Sequence, residues 1–157
     1  MKLNKLITIL FCLTAAFNYA QRTYPKIVTK NEQNYLMLSQ KKTILLKDHS
    51  VDRSEFEIIA INSNRAILHF IHPSKTESKG RCASGEEKGF LLLHLDDINI
   101  INSEIFILES CLWQIESEHK TNSNKRFLEF TSVDLNTSKT YILKIDTTSV
   151  LITKTDN

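Results

Sequence analysis

Apolar and β-branched residues recur along the chain in short runs broken by polar clusters, the rhythm of strands and turns in an antiparallel β protein. The runs fall at 26–29, 35–39, 43–47, 56–61, 65–72, 90–95, 98–101, 126–132, 140–146 and 150–154. One open sheet does not comfortably hold that many short strands. The pattern therefore predicts an all-β fold, an antiparallel β-sandwich or a partly closed barrel. Residues 90–95, Phe-Leu-Leu-Leu-His-Leu, are apolar on both faces and predict a central strand covered on each side. Residues 126–130 and 141–145 alternate better and predict half-exposed strands.

One stretch supports two periods. Between 103 and 120, Ile105, Leu108, Leu112, Ile115 and His119 recur at helical spacing behind Ser103 as a possible N-cap. The same stretch offers a strand over 104–111, with Phe106 and Leu108 on one side and Ile105, Ile107 and Cys111 on the other. The β-rich Ile-Phe-Ile-Leu run favours the strand, and a helix around 103–119 is the alternative that would make the class α+β.

Composition removes several classes. With 3 glycines and 2 prolines the chain is neither collagen-like, a flexible linker nor a proline-rich disordered segment. Turns must come from other residues. Asn62-Ser63-Asn64 and the clusters at 121–125 and 134–139 predict hairpin turns, since Asn can adopt the positive φ that such turns demand.

Residues 1–20 have the form of a secretory signal: Lys2 and Lys5 precede an apolar run at 6–17 that is too short for a bilayer span. Ala20 and Ala16 are the two candidate cleavage points, Ala20 preferred. This predicts a single β-rich domain over 21–157, periplasmic or extracellular. The formal charge of +2 then belongs to Lys2 and Lys5, and the mature chain is neutral. A neutral chain lacks the basic footprint of nucleic-acid binding and has little electrostatic reason to sit on an anionic membrane.

Two cysteines follow the signal, Cys82 and Cys111, and in an exported chain they most economically form one disulfide. No C-x-x-C pair suggests a metal, and no cofactor motif is present. All 3 glycines, Gly80, Gly85 and Gly89, surround Cys82. That clustering predicts a disulfide-anchored loop over 73–89 that needs close backbone approach or positive φ. Gly80, Arg81, Ser84, Gly85, Glu86, Glu87 and Lys88 are its candidate interaction residues. Ser84 lacks a nucleophile elbow, and adjacent Glu86 and Glu87 point to opposite faces of an extended chain as a solvated pair. His49, His69, His72, His94 and His119 form no chelating pattern: His69 and His72 face opposite sides of a strand, while His72 and His94 share a face but lie too far apart for one ion. Trp113 is placed to pack over the disulfide.

Ser84 and Gly85 on such a loop resemble the corresponding feature of bacterial periplasmic lysozyme inhibitors, a resemblance confined to those two residues. It implies a loop inserted into an enzyme's cleft. The sequence thus predicts a non-enzymatic exported protein-binding module, possible versions being an inhibitor or immunity-type protein acting on an exported enzyme. A small-molecule or lipid-binding barrel and a hydrolase using Ser84 or Glu86 are the alternatives. No catalytic or metal-binding residue is assigned, and the expected partner is another exported protein.

Overall fold

The computed structural model describes residues 24–46, 54–74, 85–121 and 126–156. The expected signal segment with its two candidate cleavage points, His49, most of the Cys82 loop and most of the expected 121–125 turn lie outside them.

Among the described residues eleven strands follow in chain order: β1 Lys26–Lys30, β2 Gln33–Met37, β3 Thr43–Leu45, β4 Glu55–Ile61, β5 Arg65–Pro73, β6 Glu86–Asp96, β7 Asn99–Ser110, β8 Ile115–Thr121, β9 Phe127–Asp134, β10 Lys139–Asp146 and β11 Leu151–Asp156. They form two antiparallel sheets, β1-β2-β3 and an eight-stranded sheet in which β4 to β11 lie in sequence order. The fold is all-β and sandwich-like. Neither sheet closes on itself, so the barrel half of the sequence expectation does not hold.

The helix alternative is overturned. β7 is held by β6 from Asp96↔Asn99 to Glu87↔Ser110, and a turn at 111–114 leads into β8. The helix-like spacing spans three elements: Ile105 and Leu108 are on β7, with a register shift at Leu108, Leu112 is in the turn, and Ile115 and His119 are on β8. β8 had no sequence signal of its own, because its exposed Glu116 and Glu118 leave little apolar pattern to read.

Glycine-poor turns are built in two ways, by positive φ and by side chains that fold back on the backbone, and Asn62 and Asn64 of the predicted turn use the second and are not at positive φ. Asn31 and Glu32, both at positive φ, form the two-residue loop between β1 and β2. Asn62 Oδ1 accepts from the backbone N–H of Asn64 (2.9 Å) and Arg65 (2.8 Å), closing the β4–β5 hairpin. Asp134 does the same for Asn136 and Thr137 at the β9–β10 turn.

β5 and β6 are the centre. Their alternate side chains enter two cores: Ile67, Phe90 and Leu92 face one, Ala66, Leu68, Leu91 and Leu93 the other, all almost fully buried. The first core is completed by Leu108 of β7 and by Tyr141, Leu143, Ile145 and Ile152 of β10 and β11. The second is completed by Leu36 of β2, Ile44 of β3 and the adjoining Leu46.

The eight-stranded sheet reaches its own face because it is almost divided in two. β7 and β8 share only the pair Ser110↔Ile115. Beyond that rung β8–β11 fold over β5–β7, a closure marked by Phe90 against Phe130 (5.1 Å between ring centroids) and by Tyr141 Oη donating to the Ile107 carbonyl at 2.6 Å. Burial raises the Tyr141 pKa, which keeps the phenol protonated as that donor.

Candidate functional site

The loop that the glycines single out has a well-defined neck. β5 runs to Pro73 and β6 starts at Glu86, so Glu86 to Gly89 belong to a strand. Ser74 N–H donates to the Gly85 carbonyl at 2.9 Å and closes the neck. Gly80, Arg81, Cys82 and Ser84 lie outside the described residues.

A buried polar cluster supports the neck from below. Glu87 is 5% exposed and accepts from Ser74 Oγ at 2.5 Å and, more weakly, from Leu112 N–H at 3.4 Å. Hydrogen bonds of this kind compensate the burial of a polar side chain. Gly85 presses on Cys111: a Cβ there would lie 2.7 Å from Cys111 Cβ and 3.2 Å from Ser74 Oγ.

These contacts correct and refine the sequence reading. Glu86 and Glu87 do point to opposite faces, but they are not a solvated pair: Glu86 is exposed and Glu87 is buried. Ser74 and the turn at 111–114 enclose Glu87, a tertiary effect invisible in two adjacent acids. Lys88 bridges Glu109 (3.0 Å) and Glu86 (3.5 Å), and its hydrogen bond to Glu109 leads the rise in its pKa. Close approach, not positive φ, accounts for Gly85 and Gly89. At Gly89 a Cβ would sit 2.3 Å from the Phe106 carbonyl oxygen.

Trp113 does not pack inward. It is 59% exposed, on a corner with exposed Leu112 and Leu135. Two bonds between neighbouring turns hold this corner: Leu135 N–H donates to the Gln114 carbonyl (2.9 Å), and Asn136 Nδ2 donates to the Trp113 carbonyl (2.8 Å). Trp113 N–H in turn donates to Ser110 Oγ at 2.9 Å. Ser74, Leu112 and Leu135 were missed by sequence reasoning. Only the position of Leu112 and Trp113 beside Cys111 hinted at their place.

Grooves flank the corner. One, of about 460 Å³, carries Glu86, Glu109 and Glu116 beside Leu135. The other, of about 610 Å³, runs between Ile105 and Trp113 on one side and Tyr141, Lys139 and Lys154 on the other.

The histidines stand apart. His69 tilts against Phe90 at 5.4 Å, His72 stacks on Phe70 at 5.6 Å, and His94 Nε2 contacts Glu104 Oε1 at 3.2 Å. His119 is on β8. The expectation that His72 and His94 share a face fails: Arg65 pairs with His94 and His72 with Glu87, which puts the two rings on opposite faces, seven rungs apart. Among the described residues no three His, Cys, Asp or Glu groups gather as a metal site, and no helix is long and apolar enough to cross a membrane.

No family model, curated protein or solved structure matches the chain.

Proposed function

We propose that this chain is an exported, non-enzymatic protein-binding module that engages another exported protein through the Trp113 corner and the adjoining loop. The observation that carries the reading is a rigidly mounted apolar surface. Leu112, Trp113 and Leu135 are exposed, yet their backbones are tied to neighbouring elements by hydrogen bonds. An exposed tryptophan on a fixed turn suits a binding anchor, because large contact area is gained with little ordering cost. Glu86 and Lys88 border this surface, Gly80, Arg81 and Ser84 are further candidate contacts for the partner, and Cys82 and Cys111 are expected to form one disulfide. The most concrete version is an inhibitor or immunity-type protein acting on an exported enzyme in the periplasm or outside the cell.

The lipid-barrel alternative loses its premise with the open sheets, whose central strands are filled by their own side chains. Glu86, the acid of the hydrolase alternative, is engaged with Lys88.

The test begins with partner capture from the exported fraction on the purified chain, followed by affinity measurement with Trp113→Ala and Leu112→Ala. Loss of about tenfold or more for Trp113→Ala supports the reading. Undiminished affinity with an intact fold removes the corner from it. Alkylation of the same exported protein with and without reduction reports the disulfide: two thiols free before reduction contradict the pairing.

A further inference from the structure

Three segments meet at one oxygen. Glu87 Oε1 accepts from Ser74 Oγ, just beyond β5, at 2.5 Å and from Leu112 N–H, in the turn after β7, at 3.4 Å. Glu87 lies between them on β6, where His72 of β5 and Ser110 of β7 are its ladder partners. A carboxyl oxygen has two lone pairs, so a single atom can hold both donors. The side chain is buried, and among the described residues no cation pairs with it. Its hydrogen bonds are therefore what offsets the desolvation of the acid.

Each donor belongs to a different part of the proposed surface. Ser74 N–H also closes the neck on the Gly85 carbonyl, and Leu112 directly precedes Trp113 in the turn at 111–114. That turn is tied elsewhere by Trp113 N–H to Ser110 Oγ, by Asn136 Nδ2 to the Trp113 carbonyl and by Leu135 N–H to the Gln114 carbonyl. Those bonds run to β7 and to the β9–β10 turn, whereas the bond to Glu87 runs to β6 and the neck. Ser74 Oγ makes the shorter of the two contacts, so it holds the carboxyl in the orientation that Leu112 meets.

We propose that Glu87 is a positioning residue for the Trp113 corner. Through Leu112 it fixes the turn that carries Trp113, and through Ser74 it makes the setting of that turn depend on the neck. A displacement at the neck is then felt at Trp113, and a partner seated on Trp113 steadies the neck in return, because such coupling is reciprocal. The use of this link in binding rests on the reading of the corner as the binding surface; the link itself does not. Packing offers a rival route between the same two places, since Gly85 lies so close to Cys111 that a Cβ would come within 2.7 Å of Cys111 Cβ. The two routes are separable, because only one of them passes through the carboxyl.

Amide exchange and tryptophan emission anisotropy of the purified chain test the link, and Trp113 is the chain's single tryptophan, so the emission reports the corner alone. Ser74→Ala acts at the neck, yet it is expected to speed exchange at Leu112 and Trp113 by about fivefold and to lower the anisotropy. Glu87→Leu should speed the same amides by about tenfold, and Glu87→Gln, which keeps an acceptor oxygen, should stay near wild type. Adding Ser74→Ala to Glu87→Leu should change the corner no further. If Glu87→Leu does not fold, Ser74→Ala decides alone. A corner indifferent to Ser74→Ala overturns the proposal, as does an equal response to Ser74→Ala with and without Glu87, which would assign the link to the packing of Gly85 on Cys111. Binding is read separately with the partner captured by the wild-type chain: Ser74→Ala should weaken it by about threefold or more, and Glu87→Gln should leave it near wild type. Undiminished affinity for Trp113→Ala beside an intact link removes the corner from binding and spares the link. A lost link beside weak binding of Trp113→Ala removes Glu87 and spares the corner.

Discussion

The two cores on either side of β5 and β6 are closed by different means. One is sealed by the same chain-continuous sheet that supplies its floor, since β8–β11 fold back through the Ser110↔Ile115 rung and bring Leu143 and Ile145 over Phe90 and Leu92. The other is sealed by β1–β3, a separate sheet that shares no backbone ladder with the strands beneath it. That second lid rests on the apolar contacts of Leu36, Ile44 and Leu46, on Asn34 Nδ2 donating to the Ser54 carbonyl at 3.2 Å, and on the Lys42–Asp97 ion pair. The exposed ion pair adds little. A lid held by a ladder and a lid held by packing should therefore differ in how they open.

The sharpest test compares equal lesions. Leu143→Ala and Leu36→Ala each delete a fully buried side chain and should each cost about 2–5 kcal/mol in denaturant unfolding. Hydrogen exchange distinguishes them: Leu36→Ala is expected to speed exchange in β1–β3 ahead of the rest, Leu143→Ala to speed it throughout. Uniform acceleration in both variants would show that the lids open as one unit. Asn34→Ala should be milder, about 1–2 kcal/mol by the same measurement, with its exchange effect again confined to β1–β3. Spread of that effect into β9–β11 would erase the distinction.

The smallest effect is in pH. His69 lies beneath the ladder-held lid, and its pKa is lowered chiefly by burial. Glu57 on β4 and Glu109 on β7 oppose that shift, and Lys88 on β6 assists it. The unfolded chain then takes up a proton more readily than the folded one. Stability should fall as pH drops below the ordinary histidine value of about 6.5 and level off below the lowered folded value. His69→Gln should flatten that part of the profile. An unchanged profile would mean that His69 contributes nothing to it.

How far the sequence disclosed this molecule depended on which side of a strand carried the information. The run 90–95 announced its central position because both faces are apolar, and the structure buries both. β8 stayed hidden because its place is fixed by a seven-rung ladder to β9, from Ile115↔Asp134 to Thr121↔Leu128, and not by apolar side chains. β2 was read two residues late for the same reason, since Gln33 and Asn34 are polar while Asn34 is buried. At the candidate site, glycine clustering pointed to the segment whose neck Ser74 and Gly85 close. It could not show that Glu87 is enclosed by Leu112 and Ser74, nor that a turn-to-turn contact from Asn136 holds Trp113 outward, because those depend on pairings 13 to 25 residues apart.

The order of β4 to β11 also bears on how quickly the chain finds its fold. Each ladder in that sheet joins strands adjacent in sequence, so the sheet can assemble hairpin by hairpin, without the distant strand exchanges of a Greek key. Loop-closure cost is thereby kept low for most of the backbone bonds. What is left for the late stage is the folding of β8–β11 over β5–β7 across one rung, a search by two pre-assembled units in place of many separate strands. On the correlation between topology and rate, that places the chain toward the fast end for all-β proteins.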